Sequence, residues 1–358
     1  MDAGGGAAAV TASVKTVKTV RELVETGLVA AETGPELDAV AARYAIAITP
    51  AMLALIDPND PTDPIAAQFV PQAGELVHQP VERADPIGDH AHSPVEGIVH
   101  RYPDRVLLKV VHSCPVYCRF CFRREMVGPD GDGLLSGPAL DAAIAYIRDQ
   151  KDIWEVIFTG GDPLVLSPRR LRSILQQLGT IDHVRIIRFH SRVPVADPAR
   201  IDKDLIDALQ ASGKTTYIAI HANHPREMTP QARAASAKLL QAGFALLSQT
   251  VLLKGVNDDA GVLADLMRTF VDMRIRPYYL HHPDLAPGTG HFRLSIEEGQ
   301  AIVSALHGHL SGLCQPTYVL DIPGGHGKAP IDASQISKEG DHYRVTDFHG
   351  HHHIYRDR

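Results

Sequence analysis

The stretch VLLKVVHSCPVYCRFCFRRE, residues 106–125, decides the fold class of this chain. It opens on aliphatic and β-branched residues at 106–111, a composition typical of a short buried strand. Three of the four cysteines follow within eight residues, so the loop leaving this strand is predicted to hold a metal centre rather than a disulfide. The fourth, Cys314, stands alone and is interpreted as a small buried apolar residue.

Five more β-rich runs follow this strand, and amphipathic helical stretches separate them. The runs are EVIFTG at 155–160, VRIIRFH at 184–190, TTYIAIH at 215–221, ALLSQTVLL at 245–253 and RPYYLHH at 276–282. Six strands in series with helices between them predict a parallel sheet, either an open doubly wound sheet or an incomplete (β/α) barrel. Because no G-x-G-x-x-G follows the first strand, a dinucleotide-binding fold loses support.

The sequence is predicted to divide into three parts. Residues 1–95 are predicted to form an N-terminal segment that begins as a helical cap and continues as Pro-rich wrapping chain. Residues 96–290 form the predicted α/β partial (β/α)6 barrel, and residues 291–358 form a C-terminal extension.

Composition narrows the class of protein. With 358 residues and 44% hydrophobic content, the chain can bury an enzyme-sized core. Its net charge of −7 is spread along the sequence, which argues against a nucleic-acid or anionic-membrane surface and favours small-molecule chemistry. No apolar run approaches the roughly 20 residues of a membrane helix, and the start MDAGGGAAAVTASVKTVKTV lacks a secretory signal, so a cytoplasmic location is expected.

The cysteine cluster has the spacing C-x3-C-x2-C, with Cys114, Cys118 and Cys121 on one loop. Three thiolates can hold three corners of an iron–sulfur cubane and leave the fourth iron without a protein ligand. A zinc site is the alternative, but structural zinc takes four ligands and commonly pairs its cysteines. His112 is a possible fourth ligand in an awkward position beside the cluster. The open-iron interpretation is therefore favoured.

This motif, placed after the first strand of a partial barrel, resembles the radical S-adenosylmethionine superfamily. From about residue 95 onward, the chain resembles the lysine 2,3-aminomutase family within it. A second superfamily signature is matched by Gly160, Gly161 and Asp162 in FTGGDPL. Alone, these three residues are equally typical of a β–α turn in which the aspartate caps the next helix.

The resemblance implies a [4Fe-4S] cluster whose open iron is chelated by the amino and carboxylate groups of S-adenosylmethionine. An electron donor reduces the cluster, which then releases a 5′-deoxyadenosyl radical. The resemblance also places Ser191 and Arg192 of FHSRVPV, and Gln249 of LSQTVLLKGVND, near this cofactor. Ordinary polar residues at strand ends are the alternative for these three.

Lys328 follows a glycine-rich loop in VLDIPGGHGKAP. Such a loop lets the backbone approach a planar cofactor, and a lysine can form a Schiff base with an aldehyde. A phosphate-binding P-loop is excluded because Ala329 follows the lysine and the first glycine of that motif is missing. Composition alone favours an exposed lysine in a turn. Resemblance to the family motif PGG-x-GK instead implies the pyridoxal phosphate lysine, although His326 stands where glycine is more usual.

The segment HRYPDR carries Arg101, Tyr102 and Arg105 just before the first strand. Two arginines beside a tyrosine can clamp a phosphate through charge-assisted hydrogen bonds. An exposed charged turn is the alternative. The resemblance implies that both arginines bind the phosphate of pyridoxal phosphate, with the tyrosine as a weaker ligand.

The resemblance implies three residues that bind the substrate, of which the two aspartates choose it. The resemblance implies that Arg123 binds the carboxylate of lysine, with Arg124 as a substitute if the loop is turned. It implies that Asp284 in HHPDLAPGTGHFR and Asp321 in VLDIPGG hold the distal ammonium. The alternatives are that Asp284 caps a turn and that Asp321 ends a strand. A glutamate-directed relative would replace them, because two carboxylates facing a third would cost several kcal/mol.

The implied function is an isomerase, an L-lysine 2,3-aminomutase that gives β-lysine. The adenosyl radical would take a hydrogen atom from the β-carbon, and the imine nitrogen would bridge the two carbons. An amino-acid substrate, an electron donor and a homo-oligomer are expected, without nucleic acid or membrane partners. The rival hypotheses are a mutase for arginine or ornithine, supply of β-lysine for modification of elongation factor P, and an iron–sulfur electron-transfer protein.

Overall fold

Nine strands form one sheet in the computed structural model of the chain, which describes residues 15–127 and 133–357. Each strand lies beside its neighbours in the sequence, and the first and last strands do not pair, so the curled sheet stays open. The strands are β1 Ile98–Tyr102, β2 Arg105–Val111, β3 Glu155–Gly160, β4 Ile186–Ser191, β5 Thr215–His221, β6 Ala245–Val251, β7 Arg276–His281, β8 Thr317–Asp321 and β9 Lys328–Pro330.

The six predicted strands are β2 to β7, and all of them run parallel. The prediction of an incomplete α/β barrel is therefore confirmed, with small differences at strand ends. Strand β4 begins at Ile186 rather than at position 184, and strand β6 ends at Val251 rather than at position 253.

The sheet also extends beyond the predicted six strands. β8 pairs parallel to β7, whereas β1 and β9 are antiparallel edge strands. The turn of the β1–β2 hairpin lies within HRYPDR, and Lys328 opens β9 directly opposite Asp321. Both edge strands are short and only partly buried, so they lack the apolar pattern by which the central strands were predicted.

Eleven helices accompany the strands in the described ranges. They are α1 Val20–Glu25, α2 Gly34–Ala41, α3 Pro50–Leu53, α4 Pro64–Phe69, α5 Gly137–Asp149, α6 Pro168–Gly179, α7 Val193–Ala196, α8 Lys203–Leu209, α9 Pro230–Gln241, α10 Ala260–Asp272 and α11 Ile296–Ser304. Short 3-10 helices lie at Ala31–Thr33, Ala73–Leu76, His90–His92, Pro163–Val165, Pro198–Arg200, Pro225–Glu227, Gly290–Phe292 and Gly312–Cys314.

The crossover helices cover the outer face of the sheet through apolar stripes. In α6, Ser167 caps the first turn by accepting a hydrogen bond from the backbone N–H of Arg170. The helix then buries Leu171, Ile174, Leu175 and Leu178, which lie on one face because of the helical repeat. Each such side chain contributes about 1.5–3 kcal/mol by burial. Replacing one with a charged residue would detach the stripe from the strands.

Successive side chains of each strand point to opposite faces of the sheet, so one face packs into the core and the other lines the site. Phe158 of β3 and Phe189 of β4 are fully buried on one face, with ring centroids 4.7 Å apart. Their chain neighbours Thr159, Arg188 and His190 line a cavity on the other face. This period of two explains how one set of strands builds both an apolar core and a polar site.

Residues 50–94, named the wrapping segment, consist of α3, α4 and two 3-10 helices joined by irregular chain. After β9, a second sheet is formed by β10 Ile336–Glu339, β11 His342–Thr346 and β12 His352–Tyr355 in antiparallel order.

Cys314 is buried in the main core, as predicted. Most of the start examined for a secretory signal, residues 1–14, lies outside the described residues. Within the described ranges, no helix is long and apolar enough to span a membrane.

Candidate active site

A cavity of about 250 Å³ opens at the carboxyl ends of the parallel strands. Parallel strands present these ends at one edge of the sheet, so residues distant in the sequence meet there. The structure brings together every residue predicted for the site. The lining includes Arg101, Tyr102, Arg105, Cys114, Cys118, Cys121, Arg123, Gly160, Gly161, Asp162, Ser191, Arg192, Gln249, Asp284, Asp321 and Lys328.

The three cysteines of the loop after β2 are free thiols. Burial raises their pKa values, and the negative charge of neighbouring groups adds to the effect for Cys114 and Cys121. For Cys121 the pKa rises to about 11. Coordination to a metal would instead favour the thiolate form of these cysteines, because a thiol bound to a metal is deprotonated outright. The donor set therefore fits three protein ligands of an iron–sulfur cluster.

Arg192 contacts the cysteine loop directly. Its Nη1 donates to Sγ of Cys118 at 2.9 Å, and its Nη2 donates to Gln68 and Glu227, both at 2.6 Å. The wrapping segment, through Gln68, therefore helps to fix a cation beside a predicted iron ligand. The sequence placed Arg192 near the adenosyl cofactor without indicating this contact.

Gly161 allows the end of β3 to pass against the chain that enters the cysteine loop. A Cβ atom at Gly161 would lie 2.3 Å from the carbonyl oxygen of Ser113, closer than real Cβ contacts occur. The next residue reinforces this contact, since Asp162 N donates to the same oxygen at 2.9 Å. The absence of a side chain at Gly161 thus sets the position of the cysteine loop.

The carboxylate of Asp162 is occupied by protein donors. It accepts from the Oγ of Ser191 at 2.8 Å and from the backbone N–H of Arg192 at 2.6 Å. It also accepts from the N–H groups of Leu164 and Val193. Asp162 therefore caps the 3-10 helix that follows, as the alternative interpretation proposed, and also orders the loop after β4.

Lys328 meets the HRYPDR hairpin through Tyr102. The backbone N–H of Lys328 donates to the Oη of Tyr102 at 2.8 Å, and the Arg105 guanidinium lies 3.7 Å from the centroid of the tyrosine ring. The glycine-rich loop also touches the wrapping segment. A Cβ atom at Gly88 would lie 2.4 Å from the backbone nitrogen of Gly325, so the two backbones pack without side chains between them.

Asp89 joins two of the predicted anion-binding arginines, and sequence reasoning missed it. Its Oδ1 accepts from Nη2 of Arg101 at 3.1 Å, and its Oδ2 accepts from Nη2 of Arg123 at 2.8 Å. One carboxylate shared by two guanidinium groups leaves one net positive charge, which suits a bound anion. Asp89 lies in the irregular Pro-rich segment, where no periodic pattern distinguishes it from other acidic residues.

Arg124 has a different environment from Arg123. Its Nη2 donates to Glu75, which also accepts from Nη2 of Arg119 at 2.5 Å. All three side chains are almost completely buried. Arg124 also donates to the backbone carbonyls of Arg119 and Gly288 and lies outside the cavity lining, so the structure places Arg123, and not Arg124, where a substrate carboxylate could bind.

The opposite side of the cavity is acidic. Lys328 donates through Nζ to both carboxylate oxygens of Asp321. His281 Nδ1 lies 3.3 Å from Oδ2 of Asp321, and Gln249 Nε2 lies 3.2 Å from Nε2 of the same histidine. Burial alone would raise the pKa of Asp321, but the hydrogen bond from His281 and the charge of Lys328 hold it well below its usual range.

Asp284 carries an unused acceptor at this acidic side. Its Oδ1 is buried and has no hydrogen-bond partner among the described residues. Burial, together with the negative charge of Asp321, raises the pKa of Asp284 to about 8. Because buried polar groups in proteins are nearly always paired, this oxygen is available to accept a hydrogen bond from a group bound in the cavity.

Three histidines that line the cavity were also missed. His190, His221 and His281 lie at or next to the carboxyl ends of β4, β5 and β7, and burial lowers the pKa of each. The sequence did indicate these residues, because each of the predicted strands at 184–190, 215–221 and 276–282 has one of them at or next to its end. Nε2 of His190 is buried without a partner in the described part of the chain.

Comparison with known proteins identifies the family of the chain. The Radical SAM superfamily model matches residues 108–267. The L-lysine 2,3-aminomutase of Clostridium subterminale is 42% identical over 306 residues, which cover 85% of this chain and 73% of that protein. The L-lysine 2,3-aminomutase of Escherichia coli is 35% identical and covers 81% of this chain and 84% of its own.

The glutamate 2,3-aminomutase of Clostridioides difficile is 37% identical, over 85% of this chain and 71% of its own. Among solved structures, a radical SAM methyltransferase from Sphaerobacter thermophilus covers 62% of this chain and 68% of its own, with 19% identity and a TM-score of 0.45. Membership of the radical SAM superfamily implies a [4Fe-4S] cluster and S-adenosylmethionine. The chain is an isomerase that belongs to the lysine 2,3-aminomutase family of the radical S-adenosylmethionine superfamily.

Proposed function

We propose that the chain is an L-lysine 2,3-aminomutase that moves the α-amino group of L-lysine to the β-carbon. It would use a [4Fe-4S] cluster, S-adenosylmethionine and pyridoxal phosphate bound at Lys328. The observation that carries this proposal is the acidic side of the cavity, where Asp321 already binds an ammonium group and Asp284 presents an unpaired acceptor.

The charge distribution in the cavity matches the two ends of lysine. Lysine attached through its α-amino group still presents a carboxylate and a distal ammonium. Arg123, with one carboxylate shared between it and Arg101, supplies the positive region. Asp284 and Asp321 supply the acceptors for the ammonium. A substrate with this charge pattern satisfies both regions at once.

The residues around Lys328 fit pyridoxal phosphate. Lys328 lines the cavity, Tyr102 accepts a hydrogen bond from its backbone N–H, and Arg105 lies over the ring of Tyr102. A primary amine suits the aldehyde, while guanidinium and phenol groups suit the phosphate. The engagement of Lys328 by the aldehyde would withdraw its Nζ from Asp321 and leave that carboxylate free for the substrate.

The cluster loop fits the radical chemistry in the same way. Cys114, Cys118 and Cys121 would hold three irons, and Arg192 would place a positive charge beside Cys118. When bound, the cluster and S-adenosylmethionine supply the radical that takes a hydrogen atom, and pyridoxal phosphate delocalises the unpaired electron. The protein residues orient these groups and exclude water from the cavity.

The acidic side also separates lysine from glutamate, the substrate named for one relative. A glutamate side chain would place its carboxylate against the ionised Asp321, at a cost of several kcal/mol in a buried pocket. The charge of Asp321 and the unpaired acceptor of Asp284 therefore favour a cationic side chain. Arginine and ornithine share that charge and differ in length and shape.

The test is an anaerobic assay of the reconstituted protein with pyridoxal phosphate, S-adenosylmethionine, dithionite and L-lysine. Derivatised α- and β-lysine are separated by chromatography and identified by mass. β-Lysine is expected from the natural protein and is expected to disappear in Cys118→Ala and Lys328→Ala. The matched controls Cys314→Ala and Lys338→Ala change residues outside the cavity and are expected to keep the activity.

A loaded protein that makes no β-lysine would overturn the proposal. The same assay with arginine, ornithine and glutamate then identifies the substrate, since each would give its own β-amino product. Loss of activity in both the site variants and the controls would indicate damage to the fold instead, and circular dichroism would reveal it.

A further inference from the structure

We propose that His281 is a positioning residue that holds the carboxylate of Asp321 ready for the distal ammonium of the substrate. This inference rests on the proposed function, because it concerns the ammonium site of lysine. Neither the sequence motifs nor the comparisons assign a role to this histidine.

The position of His281 follows from the strand order. It is the last residue of β7, whose neighbours in the sheet are β6 and β8. Gln249 lies on β6, and Asp321 ends β8. The imidazole therefore lies between two side chains from the flanking strands, one predicted for the adenosyl cofactor and one for the substrate.

Both ring nitrogens of His281 have partners. Nδ1 lies 3.3 Å from Oδ2 of Asp321, and Nε2 lies 3.2 Å from the amide nitrogen of Gln249. An ionised carboxylate only accepts hydrogen bonds, so the Nδ1 atom carries the hydrogen. The Nε2 atom of the neutral ring then accepts from Gln249. One tautomer satisfies both contacts, and a buried neutral histidine agrees with the lowered pKa of this residue.

The contact separates the roles of the two acidic residues. Asp321 accepts from His281 and Lys328, whereas Oδ1 of Asp284 has no partner in the described part of the chain. Two neighbouring carboxylates with different donors favour different protonation states. One ionised carboxylate and one neutral carboxyl group match a single ammonium better than two negative charges would.

His281 gains importance when Lys328 is engaged by pyridoxal phosphate. Asp321 would lose its Lys328 partner while that lysine is joined to the aldehyde, and the substrate α-amino group would later displace Lys328 and release it as a free amine. The hydrogen bond from Nδ1–H of His281 to Asp321 would persist in both states. This donor keeps one oxygen in place and leaves the other for the substrate. Without the hydrogen bond from His281, the carboxylate of Asp321 could rotate. Binding of the substrate ammonium would then also have to fix the orientation of that carboxylate, which lowers the affinity.

The experiment compares lysine with norleucine, which has the same carbon chain without the ε-amino group. Each amino acid is titrated into protein loaded with pyridoxal phosphate and the cluster, without reductant, and the cofactor absorbance reports binding. His281→Phe keeps a ring but removes both nitrogens. We expect it to weaken lysine binding about tenfold, the effect of losing one hydrogen bond to a charged group, and to leave norleucine binding unchanged.

Two further variants separate positioning from damage. His281→Asn keeps an N–H donor near the place of Nδ1 and is expected to restore most of the lysine affinity. His282→Phe changes the adjacent buried histidine, which bonds Tyr318 and does not line the cavity, and is expected to bind both ligands normally. In turnover assays, His281→Phe should raise KM for lysine more than it lowers kcat.

Equal weakening of lysine and norleucine in His281→Phe would overturn the inference, because the effect would not depend on the ammonium. Unchanged lysine binding would overturn it as well. If the natural protein acquires no pyridoxal phosphate absorbance or shows no preference for lysine over norleucine, the proposed function fails, and the inference fails with it. A preference that survives in His281→Phe contradicts only the role of His281.

Discussion

Lys328 and Asp321 lie opposite each other on the antiparallel strands β9 and β8, and the lysine ammonium donates to both carboxylate oxygens. The amine proposed to bind pyridoxal phosphate and the carboxylate proposed to bind the substrate are thus partners before either ligand arrives. Under the proposed function, loading of the cofactor would therefore remove the Lys328 partner of Asp321.

Asp321→Asn should separate these two functions. The amide keeps the shape of the carboxylate but loses its charge, so Lys328 still reaches the aldehyde while the substrate ammonium loses its anion. Loss of one partner of a buried charge pair costs about 2–5 kcal/mol, which predicts a fall of at least about 30-fold in lysine affinity. Absorbance titration of the loaded protein measures this, and norleucine affinity should not change. Failure to bind the cofactor would contradict the prediction.

Asp284→Asn should stabilise the unloaded protein more at pH 8 than at pH 5. The folded chain keeps the Asp284 proton up to about pH 8, whereas an unfolded aspartate releases it near a pKa of about 3.9. The native state thus binds more protons between these values, and stability falls as the pH rises. An asparagine cannot ionise, so the variant does not lose stability in this way as the pH rises.

Thermal melting of Asp284→Asn and of the natural protein at both pH values tests this sign. The exposed Asp207→Asn variant serves as a control, because its carboxylate pairs with Lys203 at the surface. An equal change in Tm at pH 5 and pH 8 would show that ionisation of Asp284 is not responsible.

Asp89→Asn should destabilise the fold and disturb the anion site together. The change leaves Arg101 and Arg123 without their shared counter-charge, and both guanidinium groups are nearly buried. Removing one partner from a buried ion pair costs about 3–5 kcal/mol. Urea unfolding measures this loss, and KM for lysine should rise. Asp207→Asn again serves as the comparison, since surface pairs contribute only about 0–1 kcal/mol.

Gly161→Ala should impair cluster assembly with little change in the helices. The added Cβ atom would press on the backbone of Ser113, directly before the cysteine loop, and such overpacking typically costs about 1–3 kcal/mol. Iron and sulfide analysis after anaerobic reconstitution is expected to show a reduced cluster content. Gly137→Ala, where the Cβ atom meets nothing within 4 Å, should load normally. Equal loading of both variants would contradict the role given to Gly161.

Much of the fold and site could be predicted from local patterns. Apolar runs and helical repeats identified the six parallel strands, and the cysteine spacing marked the loop after β2. These features depend on residues close together in the chain, so the sequence alone determined them. The local pattern at Asp162 predicted only a capped β–α turn, and its assignment to the site came from the resemblance to a known family.

Only the tertiary structure decided which charges pair. Asp89 and Glu75 lie in the wrapping segment without periodicity, yet each forms an ion pair with an arginine of the cysteine loop. The contact between His281 and Asp321 likewise depends on the pairing of β8 with β7, whereas the sequence offered only a strand end at Asp321 as an alternative and no partner for it. The physical reason is the distance along the chain over which each feature is determined. The periodicity of a strand or helix depends on residues that are close in the sequence. Ion pairs and buried hydrogen bonds depend on segments that meet only after the sheet has formed.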